Sequence, residues 1–153
     1  MNDFKPFLTP LQMLELGVFD GTYFKNNYDD FKEEVVISQS NLFQKEASQP
    51  MSVWIENGWI TEEDPLGWFQ WYTRYYYGRR IQKLDDWQIK RWKSFTARHS
   101  AQVMKNGDCD LTVRAKQRQA LLHWGADPIP DVIDIENKID FLKEYKKQLT
   151  LYS

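Results

Sequence analysis

One cysteine, Cys109, occurs in 153 residues, which rules out an intrachain disulfide and any cysteine-rich metal cluster and fits a reducing compartment. No run of about 18 apolar residues is present to span a bilayer. The opening MNDFKPFLTP lacks the basic and apolar regions of a secretory signal. A soluble, cytoplasmic protein with no membrane association is therefore expected. The signatures of the common enzyme classes are also missing: no Walker loop, no Gly-x-Ser-x-Gly, no His-Glu-x-x-His and no Gly-x-Gly-x-x-Gly. There are only two histidines, His99 and His123, and with Cys109 they miss the spacings of structural zinc sites. No metal and no cofactor is expected. Cys109 itself lies between Asp108 and Asp110, whose negative field disfavours a reactive thiolate.

Flat, amphipathic side chains are in excess. Aromatics make up 16% of the chain, with seven Trp, eight Tyr and nine Phe, while charged residues stay at an ordinary 27%. With 42% hydrophobic residues, the length suits one core. The net charge of −2 hides a strong asymmetry. Residues 70–118 hold twelve Lys/Arg against four acids, a local +8, and the remainder holds eight basic and eighteen acidic groups, or −10. A basic middle of this kind is suited to meeting anions, with acidic flanks restraining indiscriminate binding. The same pattern also arises when acidic flanks fold back onto a basic centre.

Capping and periodicity predict an all-α protein, a compact single-domain bundle of about five or six helices. Thr9-Pro10 opens a short helix that Gly17 stops. A second helix is expected through DDFKEEVVISQS, with VVIS as a possible strand, and another through Phe43 and Ala47. With PMSVWIEN these would make a helix-turn-helix. That element contains Glu56 and no Lys or Arg, so it lacks what phosphate contact requires. Asp64 and Pro65 open the helix of GWFQWYTRYYYGRR, and Gly78 closes it. Seven rings point nearly all round it, the mark of a buried helix; Gln70, Thr73 and Arg74 form its polar stripe. Asp85-Asp86 open the longest helix, which Gly107 ends. Trp92, Phe95, His99 and Val103 share one face of it, with Arg91, Arg98 and Lys105 on an adjacent stripe. On the next helix, up to Gly125, Arg114 and Arg118 fall at about 100° and about 140° from Val113, between Leu121 and Leu122. A guanidinium buried there needs an anionic partner. After the break at DPIPD, residues 131–153 form an amphipathic C-terminal helix, packed on the domain of residues 1–130 or on a protein partner.

The segments ASQPMSVWIENGWITEEDPLGWFQWYTRYYYGRR, DDWQIKRWKSF followed by RH, and KQRQALLHW together resemble a family of small Trp/Arg-rich proteins from bacteria, viruses, fungi and plants. The family is built around GWFQWY…GRR…QIKRW…RH…RQALLHW, and the resemblance spans about half the chain. It implies a shared fold and site but no particular activity. It favours Asp64, Trp68, Gln70, Trp71, Arg74, Arg79, Arg80, Gln88, Arg91, Trp92, Arg98, His99, Arg118, Gln119 and His123. Thr73 stands where the family pattern usually has cysteine, and a second cysteine of the pattern falls near Val113.

Arginine forks bind phosphate bidentately and indole or phenol faces stack bases. The expected function is therefore binding of a nucleotide or nucleic acid at a basic, aromatic-lined site of Gln70, Trp71, Arg74, Arg79, Arg80, Gln88, Arg91, Arg98 and Arg118. Two alternatives accompany it. One is an enzyme acting on nucleic acid or nucleotides, with His99 or His123 as acid or base and Asp64, Asp85 or Asp86 as partner. The other is an interaction protein using its C-terminal helix for a partner or for self-association.

Overall fold

A computed structural model describes residues 4–105 and 110–151; Gly107 and Cys109 lie outside the described residues. Among the described residues the chain is all-helical, with no strand and six α-helices: α1 (Pro10–Glu15), α2 (Met51–Glu56), α3 (Trp68–Tyr76), α4 (Gln82–Lys105), α5 (Ala115–His123) and α6 (Lys138–Leu151). α1 begins as its sequence predicts. The Thr9 hydroxyl accepts from the Gln12 N–H and the Gln12 side chain accepts from the Thr9 N–H, a capping box that satisfies two end groups at once.

Neither helix expected between residues 29 and 47 forms. The stretch is irregular. Three β-branched residues in a row, Val35-Val36-Ile37, disfavour helix, and specific bonds fix the chain otherwise. The Ser38 N–H donates to the Leu14 carbonyl, and Asp20 and Asn41 exchange backbone-to-side-chain bonds in both directions. The Phe43 N–H donates to the buried Gln119 amide oxygen at 2.9 Å. The expected helix-turn-helix thus loses its first helix, and only the six-residue α2 remains.

α3 also starts later than predicted, at Trp68 behind Gly67. Asp64 does not cap it, because its carboxylate is taken by two arginines. The Gln70 side-chain oxygen instead accepts from the Leu66 N–H at 2.9 Å, and Tyr23 joins the same helix end by donating to the Leu66 carbonyl at 2.6 Å. The C-terminus of α3 closes as expected at Gly78. Its N–H reaches the Tyr75 carbonyl and the Arg79 N–H reaches the Arg74 carbonyl, with φ +111° at the glycine. This paired closure returns Arg79 over the helix it has just left.

Every residue from Trp68 to Thr73 is buried, so the ring-covered helix is core. Phe4 lies within 6.3 Å, centroid to centroid, of Trp68, Trp71, Tyr72, Tyr75 and Trp92. At about 25 cal/mol per Å², burying one indole of roughly 200 Å² stabilises by ~5 kcal/mol. α4 is the long helix the sequence predicts, 24 residues packed on α5. Asp85, expected as one of its opening acids, is buried; its carboxylate accepts from the Ile81 N–H and from the Trp71 indole N–H. α6 starts at Lys138 rather than Asp131, where Asn137 accepts from the Asp140 N–H in N-cap geometry. Leu142 is fully buried, Tyr145 lies against Phe43, and Lys143 pairs with Glu15. The face of α6 bearing these groups is thereby joined to the rest of the core. No helix among the described residues is long and apolar enough to cross a membrane.

Candidate functional site

The nine residues expected at one ligand site separate into three environments. The first centres on Asp64, whose side chain is 0% exposed. Arg79 donates to both of its oxygens, at 2.8 and 2.6 Å. Arg74 donates to Oδ1 at 2.9 Å and to Asp30 at 3.0 Å. Hydrogen bonding to Asp64 holds the Arg79 guanidinium above its usual range. These forks are spent on carboxylates of the same chain. Arg80, next along, lies flat on Tyr75 at 3.7 Å and donates to the Tyr75 and Arg79 carbonyls. Gln70 and Trp71 are buried with their polar groups bound to Leu66 and Asp85.

The second environment is Arg118, 0% exposed and facing inward as its place between Leu121 and Leu122 demands. Its anionic partner is Asp131, 2% exposed and bidentate at 2.7 Å on each oxygen. The Val113 and Pro128 carbonyls take further N–H groups. Such a fork, closed on all sides, holds the DPIPD break against α5.

Arg91 defines the third. Its guanidinium lies over three indoles, those of Trp87 at 4.7 Å, Trp124 at 5.5 Å and Trp59 at 5.7 Å. Two of these rings are placed by glycine-closed helix ends. Gly58 ends α2 with the Trp59 N–H on the Trp54 carbonyl, and Gly125 ends α5 with the Ala126 N–H on the Leu121 carbonyl. The Trp92 indole N–H, donating to the Trp124 carbonyl at 2.7 Å, ties the α5 end to α4. Arg91 has no carboxylate partner among the described residues, and its one hydrogen bond goes to the Gln88 side-chain oxygen at 2.6 Å. Burial without an anion lowers its pKa to about 10, which leaves it charged at neutral pH.

Around Arg91 the unmet groups are donors. Gln88 is 1% exposed and its Nε2 has no partner; the Trp68 indole N–H, on a ring 5.0 Å from Trp124, has none either. Unbonded buried donors are rare, and each costs about 1 to 3 kcal/mol. Arg98 is exposed near Phe95, at 5.8 Å from its ring.

The histidines sit differently. His99 stacks on Phe95 at 4.0 Å with a buried, unbonded Nδ1, and burial, with the Arg98 charge second, lowers its pKa. His123 is almost fully enclosed. Its Nε2 receives the Phe19 N–H at 3.3 Å and the Gln119 amide at 2.9 Å. The Phe43 N–H fixes the orientation of Gln119, so its amide nitrogen must point at His123. Nε2 is thus an acceptor, the proton sits on Nδ1, and Nδ1 donates to Ser48 Oγ at 2.6 Å. In that tautomer His123 cannot take a proton from Ser48. Burial pushes its pKa down to about 3. Asp64 and Asp85 are occupied by other donors, as described above. No group of three His, Cys, Asp or Glu able to hold a metal occurs among the described residues.

Trp59, Trp87, Asp131, Tyr23 and Ser48 complete these environments without having been expected there. Trp59 carries one usable signal, its position immediately after the Asn57-Gly58 stop. The others owe their roles to contacts across the fold.

The site and its frame define an all-α, tryptophan-rich protein with one unneutralised arginine among indole faces. No protein-family model matches the chain, and comparisons with curated proteins and with solved structures find no match either.

Proposed function

We propose that the protein binds a phosphate-containing ligand, a nucleotide or a nucleic acid, at Arg91. The observation that carries this is the contrast in neutralisation: Arg74, Arg79 and Arg118 meet carboxylates of their own chain, and Arg91 meets only rings and an amide oxygen. A half-buried guanidinium with no anion gains more from an incoming phosphate than a paired one, which would first have to give up its carboxylate. Indoles supply stacking faces for a base, and each stacked base contributes roughly 1 to 3 kcal/mol. Trp68, Gln88 and Arg91 all fall inside the pattern that carries the family resemblance. An acid–base enzyme has less in its favour, since His123 is held as a neutral acceptor and Asp64 is saturated.

Quenching of tryptophan fluorescence by a nucleoside triphosphate, with inorganic phosphate as comparison, tests the proposal. Saturable quenching that weakens at least tenfold in Arg91→Leu and falls with added salt is expected. Absent quenching, or quenching unchanged in Arg91→Leu, would overturn it.

A further inference from the structure

Arg91 does not stand alone on its helix. From Trp87 to Lys105, α4 contains no Asp or Glu and five cations. Lys83, Lys90, Arg98 and Lys105 are exposed and form no ion pair among the described residues. At about 100° per residue these four fall within an arc of roughly 80°, and Arg91 lies some 20° beyond its edge. Gln88, Trp92 and Val103 face the opposite side, toward the core. The stripe runs about 33 Å along the helix at ~1.5 Å per residue, and Arg91 and its three indoles, all half-buried, lie beside it. Asp86 is the one exposed acid on α4, at the end near Lys83; Asp85 is buried.

We infer that the ligand is single-stranded nucleic acid, its phosphates following the Lys83, Lys90, Arg98 and Lys105 stripe while one unpaired base enters the Trp59, Trp87 and Trp124 box beside Arg91. This rests on the proposed function and narrows it from any nucleotide to a strand. A free nucleotide has no use for cations some 20 Å from the base it stacks. A duplex offers phosphates at comparable intervals but keeps its bases paired and stacked, away from a recessed ring cluster. An acidic peptide matches the stripe and not the box, whose faces are aromatic.

The test uses the full chain and measures affinity for a mononucleotide, a mixed-sequence single-stranded octanucleotide, the matching duplex and polyglutamate. The octanucleotide should bind at least tenfold tighter than the mononucleotide or the duplex. With about four phosphates neutralised, its affinity should fall roughly fiftyfold between 50 and 200 mM salt. Replacing Lys83, Lys90 and Lys105 together by alanine should bring it down toward the mononucleotide level while leaving mononucleotide binding unchanged. If the mononucleotide binds and the octanucleotide binds no tighter, the strand inference fails and the Arg91 proposal stands. If neither binds, both fail. Equal affinity for duplex or for polyglutamate would overturn the strand inference in favour of a double helix or an acidic protein partner.

Discussion

Arg118 and Arg91 are both drawn into the molecule, one on α5 and one on α4, and they differ in what they meet. Arg118 finds Asp131 in two hydrogen bonds and three backbone carbonyls besides. Arg91 finds three indoles and one amide oxygen. A closed ion pair inside a protein is costly to break from either side, because the survivor is left charged and unsolvated. A guanidinium held by rings and one amide oxygen strands no charge when it is removed, only the buried Gln88 oxygen. The first arrangement ties segments together; the second keeps binding capacity in reserve. The Asp64 cluster stands between them, with a fully buried carboxylate but arginines 29% and 26% exposed.

The largest effect belongs to the closed pair. Asp131→Ala leaves Arg118 buried without an anion, and chemical denaturation should report a loss of ~4 kcal/mol. Acidification tests the buried base His123, whose folded pKa of about 3 lies below its ordinary value of 6.5. The unfolded chain then binds the proton first, so the stabilisation is complete above pH 6.5 and is lost as the pH falls toward 3. Between pH 6 and pH 4 the expected loss is ~2.5 kcal/mol, and His123→Gln, less stable at neutral pH, should lose that dependence in denaturation curves taken across the range. Asp64→Asn should cost about 2 kcal/mol by thermal unfolding, less than Asp131→Ala because water reaches Arg74 and Arg79. Arg91→Leu comes last, expected within about 1 kcal/mol of the parent or above it, since relief of a desolvated charge without an anion offsets the lost bond to the buried Gln88 oxygen. A large loss there would erase the distinction between the two arginines.

Much of this frame is legible in the sequence where local rules decide. Thr9-Pro10, Gly78 and Gly125 mark helix ends because capping involves residues three to five apart. The rings of GWFQWYTRYYY point all round a helix, and those from Trp68 to Tyr72 are core for that reason, while Tyr76 at the far end is exposed. The position of Arg118 between Leu121 and Leu122 announces a buried cation in need of an anion. Its partner Asp131 is hidden behind the DPIPD break, because a turn of that kind does not state where it leads. Local rules fail at residues 29–47, where Asn41, Phe43 and Ser38 are fixed by Asp20, Gln119 and Leu14 rather than by their neighbours. They fail again at Asp64, which has the form of a helix cap and receives two arginines instead. The expected single basic site divides for the same reason, since which arginine meets a carboxylate is a property of the fold. The question posed by the sequence, whether Gln70, Arg74, Arg79 and Arg80 join Arg91, Arg98 and Arg118 around one anion, resolves into carboxylate pairs at Arg74, Arg79 and Arg118, exposed cations at Arg80 and Arg98, and the recessed Arg91.

The most direct measurement takes Arg91→Leu and the parent protein side by side and records melting temperature and nucleotide affinity on the same samples. The account predicts an unchanged or raised melting temperature together with at least a tenfold loss of affinity. A melting temperature lowered as far as that of Asp131→Ala, with affinity intact, would contradict it and make Arg91 one more strut of the core.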